Sequence, residues 1–201
     1  VGKKRSDSMY VTVKFYGTRG SIPICGPKYQ TFGGNTTCLQ ITDMGTNRVA
    51  IIDAGTGIRE LGNDLIASGY TQEDIYLIFT HFHWDHIQGF PFFAPGYDPH
   101  RKIYVLVLGK GREIKNLRDI FARQMQQIYF PVQLDNMGAQ FKFLYLDKPN
   151  ETFRVAGSTT EVSTYRHQHP GGAYSYRFEK YNKSMVFCTD IEHGDKIDQG
   201  V

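Results

Sequence analysis

The sequence is poor in the features that mark secreted and membrane proteins. It has three cysteines, Cys25, Cys38 and Cys188, and no CxxC pair, so a disulfide framework is not expected and a reducing compartment fits better. No apolar run approaches the roughly 18 residues that a membrane-spanning helix needs. Residues 1–8 are polar and basic, unlike a signal peptide. We therefore expect a cytoplasmic protein with no membrane partner.

The chain also carries little net charge. Its formal charge is +3, and residues 1–8 contribute +2 of this, with three basic side chains against one acidic. Because the remaining body is nearly neutral, a large nucleic-acid footprint is not favoured. We interpret residues 1–8 as a tail or expression remnant and residues 9–201 as one domain.

Apolar residues make up 40% of the chain, enough to bury a core, and they are arranged in strand-like and helix-like segments. Helical spacing predicts helices over 57–67 and 113–127. The predicted strands are 10–16, 38–42, 48–52, 75–79, 103–108, 141–146, 161–165, 173–178 and 185–188. Buried strands with helices between them predict an α/β domain with sheet in the middle and helices outside.

The strongest chemical signal follows the apolar strand 75–79. His81, His83, Asp85 and His86 fall within six residues. In an extended chain, residues i and i+2 project to the same side, so His81 and His83 can face one metal ion. Imidazole suits zinc, iron and manganese, and a carboxylate helps to hold a second, harder ion. This density of donors predicts two ions about 3.5–4 Å apart.

These residues also carry a family resemblance. The segment 81–86 resembles the HxHxDH signature of the metallo-β-lactamase-fold hydrolases. Asp53, in Asp-Ala-Gly, is similar to the family's first motif, and His169 to its third. Tyr176 follows His169 by seven residues, as in phosphodiesterase-like branches, although Ser175 replaces their glycine. The resemblance implies a four-layer αββα sandwich.

The resemblance also implies a ligand set and a mechanism. The first ion would be held by His81, His83 and His169, and the second by Asp85 and His86, with Asp190 bridging the two. The ions would be two divalent metals, zinc first, with manganese and iron as alternatives. They would convert water into a metal-bound hydroxide nucleophile. Asp85 would act as the catalytic residue that orients it.

One position departs from the family pattern. The family supplies a last histidine ligand well after the bridging aspartate, whereas only 11 residues follow Asp190 here. His193 is too close to be that ligand, and we consider it as a proton donor. We therefore expect the domain to be incomplete at its C-terminus and the second metal position to lack one protein ligand.

Other candidate residues have two interpretations each. Arg19 could reach a substrate phosphate or be an exposed loop arginine. The segment 33–36 could be a functional stretch like one in the family, or its glycines could simply allow a tight approach beneath the site. Trp84 and the aromatic segment 90–93 could stack on a base or support the metal site as a packed layer. His100 and His167 receive no role.

The resemblance favours a metal-dependent hydrolase acting on a small phosphodiester, with cyclic nucleotides among the candidates. The β-lactam branch typically has cysteine where Asp190 stands, which argues against that activity. The alternatives are a thioester or lactone hydrolase, an RNA-processing nuclease and a non-catalytic metal-binding sensor.

Overall fold

A large mixed sheet forms the centre of the protein. The computed structural model describes residues 11–72, 74–108, 116–146, 153–154 and 160–192. The first sheet has the strand order β1-β2-β3-β4-β5-β6. Its strands are β1 (Val11–Gly17), β2 (Cys38–Asp43), β3 (Arg48–Ile52), β4 (Asp74–Ile78), β5 (Lys102–Leu108) and β6 (Gln140–Leu146). The first three pair antiparallel and β3 to β6 pair parallel, so β3 and β4 end at the same edge of the sheet.

A smaller antiparallel sheet packs against the first. Its order is β10-β9-β8-β7, with strands β7 (Phe153–Arg154), β8 (Glu161–His167), β9 (Ala173–Lys180) and β10 (Lys183–Phe187). A core of alternating apolar residues joins the sheets, including Leu39 and Ile52 from the first and Tyr174 and Tyr176 from the second. This burial joins the facing surfaces of the two sheets.

Helices cover the other face of the first sheet. They are α1 (Ile58–Ala67), the single turn α2 (Trp84–Ile87) and α3 (Leu117–Gln124). Leu61 of α1 and Phe121 of α3 pack with Ile51 and Leu77 in a second core. The described residues thus form helix, sheet and sheet layers, three of the four layers expected. Every helix among them is too short and too polar to cross a membrane.

The α/β fold class predicted from the sequence is confirmed, and each predicted strand overlaps an observed one. The predicted helix 113–127 is shorter, because α3 spans Leu117–Gln124, while 113–115 lie outside the described residues. Residues 181–182 join β9 to β10. Tyr181 and Asn182 both have positive φ, 48° and 59°, and form the two-residue turn that suits the twist of a hairpin.

Candidate metal centre

A histidine-rich loop, residues 80–86, follows β4 at the end of the sandwich. The rings of His81 and His83 have centroids 4.5 Å apart. His83 has an extended backbone and directly precedes α2. That single helical turn brings the His86 ring to 4.1 Å from His81. The extended start and helical end of this histidine loop thus gather three imidazoles from one short segment.

His169 reaches the same space from the second sheet. It lies in the connection between β8 and β9, and its Nε2 is 2.9 Å from Nδ1 of His83. Its ring centroid is 4.8 Å from that of His81. His81, His83 and His169 each offer one nitrogen within 4.8 Å of the others. The structure therefore brings together the three residues expected at the first metal position.

A second group surrounds the other side of His81. His86 Nε2 lies 3.2 Å from Asp190 Oδ2 and 3.4 Å from Asp85 Oδ2. Donor atoms of His81, His86 and Asp190 fall within 4.8 Å of one another. The same Asp85 oxygen accepts a hydrogen bond from the Ser21 backbone N–H at 2.8 Å. All three residues expected at the second position, Asp85, His86 and Asp190, are therefore adjacent, and His81 lies between the two groups.

Asp53 fixes the histidine loop from behind. This buried carboxylate accepts the Thr80 N–H and hydroxyl, each at 2.8 Å, and its Oδ2 lies 2.8 Å from Nδ1 of His86. The contact to Nδ1 leaves Nε2 of His86 facing Asp190 and Asp85. Asp53 and Asp190 have positive φ, 60° and 55°, a conformation that costs non-glycine residues about 1–3 kcal/mol. Such strain is typical of functional sites.

The charges around His86 favour a cation. Burial lowers the pKa of His81 to about 2, with the neighbouring His86 adding to the effect. Burial also opposes protonation of His86, but the carboxylates of Asp53 and Asp190 outweigh it and raise the pKa of His86 to about 10. In turn, His86 holds the pKa of Asp190 far below its usual range. The pocket thus stabilises positive charge at this position.

The cluster also contains nitrogens without hydrogen bonds. Nε2 of His81, Nε2 of His86 and Nδ1 of His169 are buried and lack a hydrogen-bond partner among the described residues. Carboxylates approach two of them, Asp190 at 3.2 Å and Glu192 at 3.3 Å, without hydrogen-bonding geometry. Leaving a buried polar atom unpaired costs about 1–3 kcal/mol. Nδ1 of His169 lies by Glu192 while its Nε2 lies by His83, so the nitrogens without partners inside the cluster are those of His81 and His86. A divalent cation shared by the cluster fits the site, because imidazole and carboxylate are the ligands that such ions take.

Sequence reasoning missed two residues that support the candidate ligands, His167 and Ser21. His167 is buried, and its Nε2 contacts the Thr189 carbonyl at 2.9 Å, next to Asp190. Ser175 lies 3.1 Å from the other ring nitrogen. His167 thus helps to place Asp190, although no local pattern connects residues 167 and 189. Ser21 was equally hidden, because it binds Asp85 through its backbone N–H.

Tyr176, noted for its spacing from His169, has a packing role. Its side chain is fully buried and its hydroxyl donates to the Phe79 carbonyl at 2.6 Å. Phe79 joins β4 to the histidine loop. Tyr176 therefore links the second sheet to the base of this loop.

The glycine interpretation needs correction. Gly34 lies against the Ile24 carbonyl, where a Cβ would come within 1.5 Å, and Gly33 has open space around it. The close approach beneath the histidine loop is made by Gly55, where a Cβ would come within 2.4 Å of the Asp85 carbonyl oxygen. A side chain there would displace the backbone of α2.

The remaining candidates separate into buried and exposed groups. Phe90 and Phe93 are fully buried, as a supporting layer requires, whereas Trp84 is exposed. Arg19 stacks its guanidinium 4.9 Å from the Tyr29 ring centroid. His193 lies outside the described residues, so its suggested role as a proton donor stays a prediction.

Comparison with known proteins identifies the family. Residues 48–199 match the model of the beta-lactamase superfamily domain, which covers most of the chain. The chain belongs to this family. Membership in the beta-lactamase superfamily and the gathered histidines and aspartates together imply divalent-metal binding. Curated protein sequences give no significant match.

Solved structures share the fold at low sequence identity. The metallo-beta-lactamase fold protein YhfI from Bacillus subtilis aligns with a TM-score of 0.58 and 15% identity, over 92% of this chain and 64% of that one. A diphosphatase of the PhnP family gives 0.56 and 17%, over 84% and 62%. The short form of human tRNase Z gives 0.57 and 17%, over 90% and 70%. The chain thus spans less than two thirds of the first two structures, and these likenesses establish the fold alone.

Proposed function

We propose that this chain is a metal-dependent hydrolase that acts on small phosphodiesters. The observation that carries the proposal is the cluster of four imidazoles beside Asp85 and Asp190, in which buried nitrogens of His81 and His86 have no hydrogen-bond partner among the described residues. Such an arrangement is unfavourable without a shared cation.

The residues are proposed to hold two divalent ions, zinc first. His81, His83 and His169 would ligate one, and Asp85 and His86 the other, with Asp190 between them. When bound, such ions supply Lewis acidity, which lowers the pKa of water and offsets charge on the attacked group. The described residues offer only three donors for the second position, so we expect it to bind more weakly.

The protein's own groups have distinct tasks in this proposal. Asp53 holds the imidazole of His86 by its Nδ1, so that Nε2 faces the reaction space. Asp85 Oδ2 is held by the Ser21 N–H, which fixes the carboxylate for its proposed role in orienting the nucleophile. This hydrogen bond also ties the loop after β1 to the histidine loop.

The phosphodiester class is supported by the donor chemistry. Asp190 gives a hard oxygen ligand at the position where the β-lactam branch typically has a cysteine, and oxygen ligands suit ions that bind phosphate oxygens. A small substrate is preferred over RNA because the body outside residues 1–8 is nearly neutral. The diphosphatase and the tRNase Z described above share the scaffold, and at 17% identity they add nothing more specific.

A substrate panel with a metal measurement tests this function. The chain would be assayed with bis(4-nitrophenyl) phosphate, cyclic AMP, a precursor RNA, a thioester, a lactone and a β-lactam, while bound metal is counted by mass spectrometry. We expect metal-dependent turnover of the phosphodiesters. Bound metal with no turnover of any ester would favour the sensor alternative, and faster turnover of the thioester or lactone would move the assignment to that class.

A further inference from the structure

A wide groove opens beside the histidine loop. It encloses about 1190 Å³ between the segment that follows the loop and the end of α3. Phe82 and Trp84 line it, and these two residues alternate in sequence with His81, His83 and Asp85. The groove and the metal centre therefore share one short backbone segment, with Phe82 facing the groove and His81 and His83 facing the metal centre.

The groove wall exposes large aromatic side chains. Trp84 is 67% exposed, Phe92 is 53% exposed and Tyr129 is 72% exposed. Phe130 packs edge-on against Phe92 with ring centroids 5.4 Å apart, which supports the ring of Phe92 from below. Contiguous exposed aromatic surface is uncommon on a soluble protein and marks a binding site more often than chance.

Polar side chains also line the groove. Arg123 is the single charged residue among the groove's lining residues, so the lining favours an anionic ligand. Gln88 donates its amide N–H to the Thr36 hydroxyl at 3.0 Å, and Gln124 donates to the Ile87 carbonyl at 2.9 Å. Each amide uses one of its two N–H donors in these contacts, so each keeps a second donor. Oε1 of Gln124 is buried and has no hydrogen-bond partner among the described residues, which leaves Gln88 as the amide with capacity for a ligand.

We propose that this groove binds the nucleobase of a nucleotide phosphodiester while the phosphate lies at the metal centre. This inference rests on the proposed function and specifies its substrate class. A base offers flat faces for stacking on Trp84, Phe92 and Tyr129, and the Gln88 amide can pair with polar atoms on the edge of a base. An acyl chain would cover the Arg123 guanidinium with apolar groups, which is costly.

Trp84 provides a direct readout, because it is the sole tryptophan of the chain. Adenosine 5′-monophosphate and ribose 5-phosphate would be titrated into the metal-loaded chain while its fluorescence is recorded, with N-acetyltryptophanamide as the control for absorbed light. We expect AMP to change the emission and to bind at least about tenfold more tightly than ribose 5-phosphate, as stacking of one base implies. Equal responses to the two phosphates would overturn the proposal.

A matched pair of variants locates the effect. Tyr129→Ala removes an exposed ring of the groove, and Phe15→Ala removes a comparably exposed ring on β1, with 59% exposure. Only Tyr129→Ala should weaken AMP binding, by about tenfold, and it should leave ribose 5-phosphate binding unchanged. Unchanged AMP binding in Tyr129→Ala, or equal weakening in both variants, would contradict the assignment of the groove.

The two proposals fail in different ways. If AMP binds with base preference but no phosphodiester is hydrolysed, the groove assignment stands and the hydrolase function fails. If bis(4-nitrophenyl) phosphate is hydrolysed while AMP leaves the Trp84 emission unchanged, the function stands and the groove assignment is overturned.

Discussion

The two ends of the sandwich both bury charged groups, but they treat them differently. At the end opposite the histidine loop, Lys180 Nζ lies 2.7 Å from Asp43 Oδ1, and both side chains are at least nine-tenths buried. Asp43 also accepts the Gly45 N–H at 2.9 Å and the Thr160 hydroxyl at 3.2 Å. This far-end pair links β2 to β9, and the groups around it satisfy one another.

At the metal end, a buried carboxylate also joins separate segments, but the cluster around it is not self-sufficient. Asp53 is satisfied by Thr80 and His86, whereas the outward nitrogens of His81 and His86 have no hydrogen-bond partner among the described residues. Burial of polar groups is therefore common to both ends. What distinguishes the candidate site is that these unpaired nitrogens lie around one common space.

The largest effect is expected from removing a metal ligand. His83 is exposed, so His83→Ala should fold normally, yet it should lose metal and lower turnover by more than about 100-fold, the upper range for residues that only orient a ligand. Metal content and phosphodiester turnover measure this. His100→Ala, which replaces another exposed histidine, is the matched control, and wild-type activity in His83→Ala would refute the ligand assignment.

The next largest effect is expected from breaking the far-end pair, which should lower stability without changing metal binding. Lys180→Met leaves the buried Asp43 carboxylate without its cation, which should lower the free energy of unfolding by about 3–5 kcal/mol. Denaturant unfolding measures the loss, and metal content should not change. Lys183→Met, at an exposed lysine of the same hairpin, should be near neutral. A loss of metal in Lys180→Met would show that the two ends are coupled.

A smaller effect on metal affinity is expected from replacing Asp53, which supports the histidine loop from behind. Asp53→Asn replaces the carboxylate that contacts Nδ1 of His86 and should weaken metal binding by about 10–100-fold. Competition with a calibrated chelator measures the affinity. Asp64→Asn provides a control at a carboxylate that binds Lys14 on the surface. Unchanged affinity in Asp53→Asn would mean that the orientation of His86 does not depend on this contact.

The smallest effect is expected from the hydroxyl that joins the sheets. Tyr176→Phe removes the hydrogen bond to the Phe79 carbonyl and should lower the free energy of unfolding by about 1 kcal/mol, with full metal content. Thermal unfolding measures the change, and Tyr181→Phe at an exposed position is the control. A loss of metal in Tyr176→Phe would give this tyrosine a larger role in positioning the histidine loop.

Local patterns in the sequence were enough to predict the convergence of His81 and His83 and every described strand except β7. Alternation determines which side chains share a face of a strand, and that is a local property. The far-end pair was not predictable, because Asp43 and Lys180 are 137 positions apart and periodicity does not tell which sheets face each other. The contact between His167 and Thr189 was hidden for the same reason.

The division of the aromatic segment 90–93 was also beyond sequence reasoning. Phe90 is buried and Phe92 is 53% exposed, because short 3-10 turns at Phe90–Phe92 and Ala94–Tyr97 replace a regular period. Within this segment, Phe90 therefore packs in the core and Phe92 lines the groove. Only the three-dimensional path of the chain assigns each residue to one of these roles.

The central claim is that the unpartnered nitrogens of the histidine loop belong to a metal centre. Zinc titration of the metal-free chain, followed by calorimetry and thermal unfolding, tests this most directly. We predict tight binding of a first ion, weaker binding of a second, and stabilisation by about 2.7 kcal/mol when free zinc reaches 100 times the dissociation constant. No bound zinc and the same unfolding temperature with and without it would contradict the account.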